Sequence, residues 1–192
     1  MALHCRTMPP SEPAPDGEQP GPPAGRGAPP PALLSSVFQM IYARLRPRSL
    51  LIAPLSGAGG LDRVDVRLTR RVVGIDPDME KVALARRRYR HLGPALELYR
   101  ADGLGARLQP DGNFELVLVA LPVDALAPER LAEKLARWVA PGGACAVAGP
   151  VPLRDGVAGL LMGGGLRRAG SFEARLGGGG RLAVRLLRSP RA

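Results

Sequence analysis

The chain has 192 residues and a formal net charge of +10, enough for one domain with a real core and about 30 to 40 residues beyond it. Its two cysteines, Cys5 and Cys145, and two isolated histidines, His4 and His91, suit a reducing compartment and argue against a metal site. No apolar run approaches the ~18 residues of a membrane span, and the first 31 residues lack the apolar core of a secretory signal.

Residues 1–31 hold ten of the 21 prolines and no apolar periodicity, so they cannot bury enough surface to offset their ordering entropy. They are expected to form a disordered tail, or an overlong start, ahead of one domain over residues 32–192. A soluble, cytoplasmic protein follows as the expectation. Of the 27 basic residues only Lys81 and Lys134 are lysines, a bias that fits a GC-rich coding sequence better than selection for phosphate contact. In the block Arg86-Arg87-Arg88-Tyr89-Arg90-His91, helical phase puts Val82, Ala85 and Tyr89 on one face and leaves the arginines solvated. A nucleic-acid partner is the alternative.

Taken in chain order, Leu34, Val37, Phe38, Ile41 and Leu45 recur at helical spacing, and Pro47 stops the pattern. This helix is expected to be exposed, with Phe38 and Tyr42 free to cover either a site or a second subunit. Strands are expected at Leu50–Pro54, Val72–Asp76, Leu96–Arg100, Phe114–Ala120 and Ala144–Gly149. One helix starts near Asp78, an acid suited to the positive helix end, and runs to about His91. Another follows Pro128, carries Leu131, Leu135 and Trp138 on one face, and is closed by Pro141-Gly142-Gly143. Pro150–Ala169 is short and interrupted by Gly163-Gly164-Gly165. Ser171–Leu176 and Arg181–Leu187 flank four glycines, Gly177 to Gly180, and read as a hairpin. Strands alternating with helices specify an α/β fold, a doubly wound Rossmann-like sheet of seven strands. The sheet is expected to be mostly parallel, with an antiparallel C-terminal hairpin strand.

Four features fall at the C-terminal ends of the first four strands, where open parallel sheets bind ligands. Ser56, Gly57, Gly59 and Gly60 form a glycine-rich turn, Asp76 with Pro77 ends the second strand, Asp102-Gly103 follows the third, and Ala120 ends the fourth. Gly57 precedes Asp76 by 19 positions, against the roughly 20 of a nucleotide-binding half-fold. One ligand can touch all four. Asp76 would accept from two ribose hydroxyls and Asp102 from an adenine amine, while turn N–H groups approach a carboxylate or phosphate. Two plainer alternatives are that Asp76 caps the next helix and that Asp102 is a turn residue.

Four stretches make the chain resemble the class I S-adenosylmethionine-dependent methyltransferases over about residues 33–188. They are Val73-Gly74-Ile75-Asp76-Pro77-Asp78, Tyr99-Arg100-Ala101-Asp102-Gly103, Phe114 to Val119, and Leu135 to Gly143 with its Trp138 and Pro141-Gly142-Gly143. The resemblance implies S-adenosyl-L-methionine as cofactor, with Asp76 as the ribose acid and Asp102 beside the adenine. It also implies a methyl acceptor, expected to be a small molecule, in a site left open by the short Pro150–Ala169 segment. Asp124 is the nearest titratable candidate for a base, a solvated loop acid being its plainer reading. Alignment by distance from Asp76 puts Pro54, Ser56 and Ala58 where the family has three glycines. That departure supports a second possibility, a methyltransferase-like partner or scaffold domain without cofactor. A nucleic-acid enzyme and a nicotinamide enzyme are lesser alternatives.

Overall fold

The computed structural model describes residues 31–55, 61–101, 113–121, 127–149, 151–175 and 181–190. Seven strands form one sheet: β1 (Ser49–Ala53), β2 (Arg71–Asp76), β3 (Leu96–Arg100), β4 (Phe114–Ala120), β5 (Val139–Gly149), β6 (Arg167–Arg175) and β7 (Arg181–Arg188). Their order is β3-β2-β1-β4-β5-β7-β6. Strands β1 to β5 pair in parallel, and β7 is antiparallel to both β5 and β6, so the expected class and terminal hairpin are both present. The order reverses at β1, which lies between β2 and β4.

A parallel sheet must be covered on both faces, and four helices share that task among the described residues: α1 (Pro31–Leu45), α2 (Met79–Arg88), α3 (Pro128–Trp138) and α4 (Val151–Gly163). Phe38, Ile41 and Tyr42 of α1 and Val82 and Ala85 of α2 pack on Leu50, Ile52, Val72, Leu116, Ala146 and Val184. Leu131, Leu135 and Trp138 of α3 and Val157, Ala158 and Leu161 of α4 pack on Leu51, Val73, Val117, Val119 and Val147. The expected apolar faces of the helices after Asp78 and Pro128 are thus the buried ones, and Arg86, Arg87, Arg88 and Arg90 are exposed.

Several expectations need correction. Phe38 and Tyr42 are buried in the chain's own core, so α1 is a cover for its own sheet rather than a free face for a second subunit. It begins at Pro31, one residue inside the segment read as a tail. The helix after Asp78 ends at Arg88, and a 3-10 turn, Arg90–Ala95, replaces its last turn because Gly93 takes a positive φ of 53° and Pro94 follows. The segment read as a short connection, Pro150–Ala169, contains the 13 residues of α4; its several glycines hid a helix that buries Val157, Ala158 and Leu161. Strand β5 starts at Val139, not Ala144, with Pro141-Gly142-Gly143 bulging out of its pairing with β4 between the partners Phe114↔Val139 and Leu116↔Ala144.

The connection from β1 to β2 shows a 3-10 turn, Leu61–Arg63, and a hydrogen-bonded turn after Asp65 but no α-helix among its described residues, and a buried polar chain anchors it to α1. Thr69 donates its single hydroxyl hydrogen to Pro47 O at 2.7 Å. The 2.7 Å Tyr42–Thr69 bond must then be donated by Tyr42, whose oxygen in turn accepts from the Asp65 N–H at 3.1 Å. On the other face Arg71 grips Glu97 through Nε and Nη2, at 2.8 and 3.1 Å, and the Tyr99 hydroxyl donates to the same carboxylate at 2.9 Å, tying β2 to β3.

Three tests follow from these contacts. In Tyr42→Phe the Asp65 N–H and the Thr69 oxygen lose their partner, and urea unfolding should show a loss of about 1–3 kcal/mol. A Cβ on Gly143 would lie 2.9 Å from the backbone oxygens of both Ala140 and Phe114. Gly143→Ala should therefore lower the denaturant midpoint by the equivalent of about 1–3 kcal/mol. The Arg71 hydrogen bond, with help from Tyr99, holds the Glu97 carboxyl below its ordinary value of 4.5. A depressed carboxylate stabilises fully above that value and loses its contribution as pH falls through the folded one. Acid titration of stability should be shallower below pH 4.5 in Arg71→Met than in the parent; identical profiles would remove Glu97 from the account.

Candidate functional site

The apolar run Val72-Val73-Gly74-Ile75 carries β2 through the core and ends on Asp76, which has no solvent exposure. A carboxylate taken out of water needs hydrogen bonds to persist. One comes from the Asp78 N–H to Asp76 Oδ1 at 2.9 Å, and the Asp78 carboxylate in turn accepts the Glu80 N–H at 2.9 Å. The N-cap of α2 is therefore Asp78, and the alternative that Asp76 serves as the cap is corrected. The main-chain oxygen of Asp76 accepts from Ala101 N at 3.1 Å, which holds the chain leaving β3 beside it, one residue before Asp102.

The neighbouring strand ends are small. Ala53 and Ala120 close β1 and β4, Ala148 is the penultimate residue of β5, and Leu121 N–H donates to Ala148 O at 2.7 Å, locking the β4 and β5 ends together. Gly149 belongs to the same junction, because a Cβ there would meet Leu121 Cβ at 2.7 Å. Between these alanines and Val37, Phe38 and Ile41 of α1 lies an apolar cleft of about 40 Å³, with Pro54 at its rim. It exists because alanines leave unfilled the space that larger strand-end residues would occupy.

Of the residues named from the sequence, Asp76, Pro77 and Ala120 lie along this C-terminal edge, with Asp76 buried, Pro77 exposed and Ala120 between in exposure. Ser56, Gly57, Gly59, Gly60, Asp102, Gly103 and Asp124 lie outside the described residues. Of the cleft-lining residues of α1, Phe38 is the one the sequence points to as a cover for a site or a second subunit, while Val37 and Ile41 show only helical spacing. None of α4 was named at all, since that segment was read as a connection. Cys145 is buried in β5, and burial pushes its thiol up to about 12, so it is no nucleophile. Among the described residues no group of His, Cys, Asp and Glu is placed to hold a metal ion. None of their helices is long and apolar enough to cross a membrane.

The described residues fit the ribose end of an adenosyl cofactor: one desolvated carboxylate at the β2 edge, next to the reversal of strand order, with alanines on the adjoining strand ends. Pro54 is the contrary observation, since it offers no N–H at the end of β1.

A family model described as a methyltransferase domain matches residues 56–143. The match begins after β1 and after Pro54. The fold is similar to the N-methyltransferase NodS from Bradyrhizobium japonicum WM9, with TM-score 0.68 and 13% identity over 83% of this chain and 98% of that one. It is similar also to a putative methyltransferase from Pseudomonas syringae, with TM-score 0.63 and 18% identity over 82% and 97% of the two chains. A third likeness is to the [4+2]-cyclase SpnF, with TM-score 0.66 and 14% identity over 82% and 81%. No curated protein matches the sequence. The domain match covers the buried acid of β2 and the Trp138 to Gly143 turn, and the seven-stranded sheet that holds them has the fold of those structures. Residues 56–143 are thus similar to a methyltransferase domain, and the chain has the fold of those solved structures.

Proposed function

We propose that the chain transfers the methyl group of S-adenosylmethionine to a small-molecule acceptor. The observation that carries this reading is Asp76, a wholly buried carboxylate at a strand end beside the switch in strand order. Its Oδ1 accepts the Asp78 N–H, and ribose hydroxyls are the donors that such a strand-end acid serves in adenosyl-binding sheets. In this reading Asp76 and Pro77 receive the ribose, Asp102 and Gly103 the adenine, and Ser56, Gly57, Gly59 and Gly60 the methionine end. Ala120 leaves room at the methyl.

Bound S-adenosylmethionine supplies a sulfonium-activated methyl group, so the chain's own residues chiefly position the acceptor and exclude water. The apolar cleft under α1 supports a small acceptor with an apolar part, since about 40 Å³ admits only a few heavy atoms. Asp124 is the acid proposed to take the acceptor's proton where one must be removed. Pro54 favours a second reading, in which the domain has lost its cofactor and acts as a protein partner. The exposed arginines of α2 leave a nucleic-acid role to be tested by the salt dependence of duplex binding.

Calorimetric titration with S-adenosylhomocysteine separates the first two. Heat of binding is expected at ligand concentrations up to about 1 mM, a dissociation constant that corresponds to about 4 kcal/mol, and its absence would sink the enzyme reading. Asp76→Asn keeps an oxygen for the Asp78 N–H while removing the charge. It should weaken that affinity at least tenfold, about 1.4 kcal/mol, with little change in melting temperature.

A further inference from the structure

Helix α4 starts at Val151, just past the C-terminal end of β5, so its first turn stands at the same edge of the sheet as Asp76 and the cleft. Arg154 is its fourth residue. It shares helical phase with Val157, Ala158 and Leu161, all packed in the core, and it is itself only 1% exposed. An arginine on that apolar stripe needs a reason.

Its bonds account for part of the guanidinium. Nε and Nη2 grip the Asp155 carboxylate, both at 2.9 Å. That same carboxylate also accepts from Nε of Arg185 at 3.0 Å, on β7 opposite Val147. Arg154 first, and then Arg185, hold the Asp155 carboxyl below the ordinary carboxylate range, so it is charged at neutral pH. Two guanidinium groups share one carboxylate, and among the described residues one positive charge stays uncompensated. The nearest strand neighbours do not supply the balance. Ser171, opposite Arg185, accepts from Arg168 at 3.2 Å, and Glu173, two residues on, forms no ion pair among the described residues.

Nη1 of Arg154 is buried and has no hydrogen-bond partner among the described residues. Buried donors are nearly always paired, and a cation near a helix N-terminus is opposed by the helix dipole. A buried donor without a partner, a cluster that is net positive among the described residues, and a helix start all call for the same group, which is an anion.

We propose that Arg154 anchors an oxyanion, a carboxylate or phosphate carried by the methyl acceptor; the assignment to the acceptor rests on the methyl-transfer reading above. Val184 lines the apolar cleft and Arg185 follows it on the opposite face of β7. An acceptor lying across the strand ends then places its apolar part under α1 and its acidic group at α4.

Thermal unfolding of the full chain in inorganic phosphate and in acetate, each against chloride at equal ionic strength, tests the site. One or both oxyanions should raise the melting temperature above the chloride value. A stronger response to acetate assigns a carboxylate, and a stronger response to phosphate assigns a phosphate ester. Arg154→Met should abolish the response. Arg154→Lys keeps the charge but cannot grip Asp155 and a second anion with a planar fork. It should raise the half-saturating concentration at least tenfold, and it decides the matter if the methionine variant does not fold. No oxyanion response in the parent, or an equal response in Arg154→Lys, overturns the proposal. Calorimetry with S-adenosylhomocysteine on the same samples separates the two readings. Unchanged cofactor affinity in Arg154→Lys is expected, and an oxyanion response in a parent chain that binds no cofactor would overturn the assignment to a methyl acceptor.

Discussion

Every element of this domain answers to the burial of β1 on both faces. Leu50, Leu51 and Ile52 are almost completely enclosed, and β2 and β4 complete the hydrogen bonding on either side. A strand in that position cannot be solvated, so the apolar surface above and below it has to be covered by something. In many parallel sheets the crossover between adjacent strands supplies a helix for this. Here α1, which precedes β1 in the chain, supplies much of the cover, together with Leu61 and Val64 of the β1–β2 connection. The Tyr42–Thr69–Pro47 hydrogen-bond chain fixes that helix to the connection it supplements.

The C-terminal edge of the sheet is a consequence of the same packing. Parallel strands aim their C-terminal ends to one side, and at β1, β4 and β5 those ends carry alanines. The core therefore thins toward the edge instead of closing it, and α1 roofs the resulting cleft with Val37, Phe38 and Ile41. The two polar placements that packing alone does not justify, Asp76 and Arg154, both stand at this edge. One is an acid with a defined donor from Asp78, and the other a base with a donor group left over. Two costly groups thus stand at one edge of a core whose other buried residues are nearly all apolar.

Periodicity made the long elements legible. Val82, Ala85 and Tyr89, and likewise Leu131, Leu135 and Trp138, announce their buried faces by spacing alone. Asp76 was legible because an acid directly after four apolar residues has few structural uses. The failures have physical causes too. Glycines at 156, 159, 163, 164 and 165 lower the local helix propensity of the α4 segment and lengthen its apparent loop, while docking on β7 and α3 makes it helical. The bulge at Pro141-Gly142-Gly143 lets Phe114 and Leu116, two residues apart, pack in opposite cores, which simple alternation does not allow.

By itself the sequence determined the α/β class, the strand succession, the terminal hairpin and the acid at the end of β2, because each rests on local spacing or on a run of neighbouring residues. Tertiary structure alone decided that α1 packs on its own sheet, that the alanine strand ends enclose a cleft, and that Arg154 and Arg185 share one carboxylate. Those three depend on residues far apart in the chain meeting across the sheet, and no local pattern encodes which surface an apolar stripe will find or which charges will be left without a counter-ion.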